Sequence, residues 1–180
     1  CRSSATENAE GASNTSTAAT PGEKAVLIVR EDGARAGDTL YLTGTIGGRR
    51  LDDDAAGALL RGIRQMFAPG ALADTDDGIL PAAREIAAHT GLGFRIIEEA
   101  IPVEAAHDGK KHASDAHPHR YFTRGGYLFA SPRRHVATMT ITIDGVRVTP
   151  VGELVGTGQT IERNGSEIDA KECATDTGAP

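Results

Sequence analysis

Three carboxylates fall within four positions in the stretch ALADTDDGIL, residues 71–80: Asp74, Asp76 and Asp77, with Gly78 directly behind them. Side chains of this type are hard oxygen ligands. A magnesium ion is commonly held by one or two of them together with waters and substrate phosphates. An amphipathic segment begins just after the cluster, and the start of a helix offers backbone N–H groups that hold anions. Asp74 and Asp77 are separated by two residues, and Gly78 would let a ligand approach the backbone. The same residues have a plainer use, in which Asp76 or Asp77 caps the helix and the rest are solvated.

A second candidate is the glycine-rich GTIGG at 44–48, with Gly44, Gly47 and Gly48. It follows a predicted strand and precedes a predicted helix, a placement that suits phosphate binding through backbone amides. No Gly-Lys-Ser/Thr follows, so it is not a Walker loop, and it lacks the dinucleotide-binding fingerprint. A tight strand-to-helix turn would use the same glycines. The segment HDGKKHASDAHPH gathers His107, His112, His117 and His119. Histidine-rich tracts can take zinc or nickel, but this spacing matches no ligand pattern and the surrounding residues suit a loop.

The elements that must position these groups follow from periodicity. KAVLIVR (24–30) reads as a short edge strand, and TLYLTG (39–44) alternates, with Leu40 and Leu42 on one face. LDDDAAGALLRGIRQMF (51–67) reads as a helix capped by Asp52 or Asp53. Its apolar stripe runs through Ala55, Ala58, Leu59, Gly62, Ile63, Met66 and Phe67, and Pro69-Gly70 ends it. ILPAAREIAAHT (79–90) is the second helix, with Leu80, Ala83, Ile86 and Ala87 inward, Pro81 in its first turn and Gly91 as its C-terminal cap. GFRIIEE and YLFA read as strands, and the residues from 100 to 119 as a loop. ATMTITIDGVRVTPV is a hairpin turning at Asp144-Gly145, with Met139, Ile141 and Ile143 on one face and Val146 and Val148 returning. GELVG then closes the sheet. Interleaved strands and helices of this order predict an α+β fold, helices packed on a mixed β-sheet.

Composition bounds the rest. The formal charge is −6, there is no Trp, and basic residues adjoin one another only as the pairs Arg49-Arg50, Lys110-Lys111 and Arg133-Arg134. Nucleic acid is therefore an unsuited partner. No apolar run is long enough for a transmembrane segment. Residues 1–22 are small and polar, and read as a disordered tether ahead of a domain over 23–158; residues 159–180 read as a polar C-terminal tail. The two cysteines, Cys1 and Cys173, lie in these polar ends. Cys1 followed by a Ser/Thr/Ala-rich stretch is also the pattern of a lipid-anchored bacterial lipoprotein, as an alternative to a cytoplasmic fragment of a longer product.

Three segments, in order, resemble a known superfamily. GARAGDTLYLTGTIGG is similar to the opening of the C-terminal half of thiamine-monophosphate kinase and its relatives. ALADTDDGILPAAREIAAHTGLGFRIIEEAIPV resembles that enzyme's D-x-SDG segment, its helix and the strand ending in an Ile-Pro step. TPVGELVGTG resembles its late IGEV strand. The wider PurM-like superfamily includes aminoimidazole ribonucleotide synthetase, a hydrogenase maturation factor and selenophosphate synthetase. The resemblance implies a three-layer C-terminal domain, an ATP- and Mg²⁺-dependent kinase-type transferase of thiamine biosynthesis, and a phosphorylated small-molecule substrate. It implies a partner as well: an N-terminal ATP-binding half, or a second copy in a homodimer. Asp74 and Asp77 match the two motif aspartates and Gly78 its glycine, as Mg²⁺ or phosphate contacts; Asp76 stands where the family has Ser. The family's acidic GGEDYELL appears here as RGGYLFA, without any of its acids, and the hairpin at 136–148 stands in the place of a longer helical excursion.

Overall fold

A computed structural model of the chain describes residues 33–46, 48, 51–103, 126–132 and 141–174. The predicted strand 24–30, Cys1 and its tether, Gly47, Met139 and the histidines from His107 to His119 lie outside the described residues.

Eight strands among the described residues form one mixed sheet. In chain order the elements are β1 (Thr39–Thr43), α1 (Asp53–Phe67), β2 (Ala71–Asp74), α2 (Ile79–Thr90), β3 (Gly93–Ile97), β4 (Tyr127–Ser131), β5 (Ile141–Ile143), β6 (Val146–Val155), β7 (Gln159–Arg163) and β8 (Ser166–Asp169). They lie side by side as β2-β4-β1-β6-β3-β7-β8, with β5 paired to the first part of β6. All neighbours are antiparallel except β3 and β7.

The two helices cover opposite faces, so the fold has three layers. On one face α2 sets Ile79, Leu80, Ala83, Ile86 and Ala87 against Leu40, Leu42, Leu128, Phe94, Ile96 and Leu154. On the other, α1 sets Leu59, Ile63 and Phe67 against Tyr41, Leu72, Phe129, Ile143 and Val148. The rings of Tyr41, Phe67 and Phe129 meet in pairs at centroid distances of 5.0, 5.4 and 5.0 Å, within the range of favourable aromatic contact. The helix ends follow the local chemistry. Asp52 caps α1, its Oδ1 accepting from the Ala55 N–H at 2.8 Å. Ala68, at φ 44°, ends α1 ahead of Pro69, and Gly91, at φ 69°, ends α2. Gly62 lies where α1 crosses the β5 hairpin, and any Cβ there would collide with Ile143 Cγ2.

Four expectations are corrected. Met66 is 43 % exposed rather than part of the buried stripe. The helix rests on the sheet along Leu59, Ile63 and Phe67, and Met66 is turned about 100° away from Phe67. GELV is not a separate closing strand: it continues β6, which runs unbroken from Val146 to Val155. Its register against β1 slips between Tyr41↔Pro150 and Leu40↔Gly152, so Val151 is an extra residue. That bulge absorbs a proline that could not otherwise sit in a central strand. The segment read as a polar tail instead forms β7 and β8, joined at Asn164-Gly165, both at positive φ. With it, Cys173 is half-buried against the α2-side core. Finally, neither Asp76 nor Asp77 caps α2. The N-cap is Gly78, at φ 112° and ψ 167°, with no side chain to offer. Only glycine enters that conformation readily, so the backbone alone accounts for this residue.

Candidate functional site

Pairing of β2 with β4 places Asp74 opposite Tyr127 at one end of the sheet. Asp74 is half-buried there, and its Oδ1 accepts from the Asp76 N–H at 3.1 Å, an Asx turn that carries Asp76 and Asp77 outward into solvent. Thr75 is buried between them, its N–H donating to Gly126 O at 3.1 Å, and the Gly78 N–H returns to Thr75 O at 3.0 Å. The turn thus delivers two exposed carboxylates and one half-buried one just ahead of α2. Among the described residues no three His, Cys, Asp or Glu side chains converge as a metal-holding group. The donor set is still chemically suited to a hard cation that completes its shell with water and phosphate oxygens.

Tyr127 joins this turn from across the sheet. Burial raises its phenol above the ordinary tyrosine range, and the negative charges of Asp74 and Asp76 raise it further. Its proton is thus held more tightly than that of an ordinary tyrosine, within the field of those two carboxylates. No spacing signal could have found it, because the sheet brings it to Asp74 from a distant part of the chain.

The glycine loop lies at the same end of the sheet. Thr43 closes β1, and its Oγ1 accepts from the Tyr127 N–H at 2.7 Å. The Gly44 N–H donates to Arg147 O at 2.8 Å, the Ile46 N–H to Pro102 O at 2.9 Å and the Gly48 N–H to Thr45 O at 3.0 Å. Ile46 is buried and bridges Val103, which pins the loop to the chain beyond β3. Between this loop and the β5–β6 turn lies a cavity of about 360 Å³, with Thr43, Gly44, Thr45, Leu51, Arg147 and Gly126 among its walls. Gly126 belongs to both neighbourhoods: it lines the cavity and accepts from Thr75 in the acidic turn. Of the residues singled out in the sequence, Asp74, Asp76, Asp77 and Gly78 share one turn, and Gly44 and Gly48 stand across Gly126 from it. Arg147, Thr43 and Tyr127 were not foreseen.

No protein-family model matches the chain, and no curated protein matches it in sequence. Solved structures do. HypE of E. coli is 22% identical, with a TM-score of 0.57 over 75% of this chain and 49% of its own. Thiamine monophosphate kinase of Aquifex aeolicus is 18% identical, with a TM-score of 0.50 over 76% of this chain and 53% of its own. That kinase has also been solved in complex with AMPPCP and TMP. Phosphoribosylformylglycinamidine synthase II of Thermotoga maritima is 14% identical, with a TM-score of 0.58 over 82% of this chain and 28% of its own. The fold is that of the PurM-like superfamily. The chain spans about half the length of the HypE and kinase structures it matches. Among the described residues no helix is long and apolar enough to cross a membrane.

Proposed function

We propose that this PurM-like chain is the C-terminal half of an ATP-dependent phosphotransferase of the thiamine-monophosphate-kinase type, acting in the cytoplasm on a phosphorylated small molecule. One observation carries the reading: the aspartate turn and the glycine loop, far apart in the chain, meet at one end of the sheet and share the Gly126 backbone. Phosphoryl transfer consists largely of positioning and charge neutralisation, and these two elements divide that work. Asp74 and Asp77 would hold Mg²⁺, which neutralises phosphate charge when bound. Gly44 and Gly48 would let phosphate oxygens come close to the backbone. Asp76 adds a charge on the same turn and Tyr127 holds a proton facing it, so the local field depends on both. The base and sugar of ATP would be held by an N-terminal half or by a second copy of the chain, leaving its Mg²⁺-bound phosphates to the aspartate turn, and the likeness to the longer kinase and HypE structures supports that division.

Calorimetry of the full chain with AMPPCP tests the reading. Binding that requires Mg²⁺ and is lost in Asp77→Asn is the expected result. Binding indifferent to Mg²⁺ and to Asp77 would leave a non-catalytic binding or assembly module, a reading favoured by the missing acids of RGGYLFA.

A further inference from the structure

The cavity beside the glycine loop contains hydrogen-bond donors that the fold does not use. Thr43 is fully buried and its Oγ1 accepts from Tyr127, so its own proton needs an acceptor, and none is found among the described residues. The flanking amides of Gly44 and Ile46 are paired, yet the Thr45 N–H between them has no acceptor among the described residues. Arg147 stands on the facing hairpin and lines the same space. Its carbonyl is tied to the Gly44 N–H, so its position relative to the loop is set by the backbone. Thr43 is sealed in the wall, whereas Thr45 is half-buried and Arg147 exposed; an amide and a guanidinium bordering one cavity suit an oxyanion, which a guanidinium holds by charge-assisted hydrogen bonds. The remaining wall is different. Leu51 and Val146 are apolar, and Asp144 at the tip of the turn carries the opposite charge. About 360 Å³ is the size of a small-molecule site.

We propose that this cavity seats the phosphorylated substrate: its oxyanion against the Thr45 N–H and Arg147, its ring on Leu51 and Val146, and an N–H-bearing edge toward Asp144. The inference rests on the phosphotransferase reading for the use made of that substrate, but not for the binding itself, which needs no metal. Arg147 is then a substrate-binding residue on a hairpin that replaces another element in the resembling family.

Calorimetry of the full chain in EDTA, with adenosine 5′-monophosphate as probe and adenosine as the uncharged control, tests it. Saturable binding of the nucleotide is expected, with adenosine weaker by about tenfold or more, as for the loss of one charge-assisted contact. Arg147→Met should weaken the nucleotide by about the same factor and Arg147→Lys should restore part of it. Arg147 is exposed, so these variants keep the fold, and circular dichroism checks that they do. Equal affinity in Arg147→Met, or equal binding of adenosine, overturns the proposal. So does loss of metal-free binding in Asp77→Asn, which would put the nucleotide at the acidic turn. If AMPPCP fails to show Mg²⁺ dependence while these results hold, the kinase reading falls and the cavity remains.

Discussion

The face of the sheet that looks toward α1 is divided into two regions of opposite chemistry. On β2, β4, β1 and the start of β6 it is aromatic and aliphatic, with Leu72, Phe129, Tyr41 and Val148 closed off by α1. On the end of β6 and on β3, β7 and β8 the same face is ionic. Arg95 reaches Glu153 at 2.9 Å and Glu162 and Glu167 at 3.7 Å each. A helix is about 10–12 Å wide and strands lie about 4.8 Å apart, so one helix of α1's size cannot cover all seven strands that lie side by side. The strands beyond its reach must be apolar on the α2 face alone. Phe94, Ile96 and Ile161 accordingly point into that core while Arg95 and Glu162 point out. Glu162 sits directly opposite Glu167, a like-charge pair that costs stability unless a cation lies between them. Arg95 is that cation. The functional end of the sheet belongs to the apolar region, where the core can hold loops in place.

The contrast between the two regions depends most on a single ring. Phe129→Ala should lose about 3–5 kcal/mol in urea unfolding, since it empties the centre of the aromatic trio. A loss below about 1 kcal/mol would mean that α1 does not close this face tightly.

The same division explains what could and could not be read from residues alone. Elements with an apolar stripe were legible: β1 from Leu40 and Leu42, α1 with its Asp52 cap, α2 with Gly91 behind it, and the hairpin at Asp144-Gly145. β7 and β8 were not, because half of each faces the uncovered region and carries Glu162 and Glu167, so the segment resembles a solvated tail. Its one clear signal was Asn164-Gly165 between short alternating runs. β6 was divided in two at Pro150 and Gly152, which look like breakers until the bulge at Val151 is known. At the site, the aspartate turn and glycine loop were visible as local clusters. Tyr127 and Arg147 were not, because strand pairing brings them there from distant parts of the chain; Thr43 adjoins Gly44, but its hydroxyl is tied into the site only by the Tyr127 N–H.

A smaller effect is expected in the ionic region. Arg95 is 36% exposed, and surface ion pairs are typically worth less than about 1 kcal/mol. Arg95→Met should therefore destabilise by no more than that. Unlike the loss at Phe129, its effect should shrink as salt screens Glu153, Glu162 and Glu167 from one another. Urea curves for both variants at low and high salt make the check. A salt-independent loss at Arg95 as large as that at Phe129 would erase the distinction between the two regions.

The smallest effects, and the sharpest contrast, lie in titration. Tyr127 borders the apolar region, and burial, then Asp74 and Asp76, push its phenol above the ordinary 10.0. Glu99 is exposed in the ionic region, and the hydrogen bond it accepts from the Asn164 N–H holds its carboxyl below the ordinary 4.5. The signs are opposite. A raised phenol contributes stability that is complete below pH 10 and is lost as pH climbs toward its folded value; a lowered carboxyl contributes above pH 4.5 and is lost as pH falls through its folded value. Ultraviolet titration of tyrosinate should show a phenol ionising above 10, absent from Tyr127→Phe. In Asp74→Asn it should move only part of the way back, since burial is the larger cause. A complete return would mean that carboxylate charge alone sets the phenol, and that the apolar region stops short of the aspartate turn.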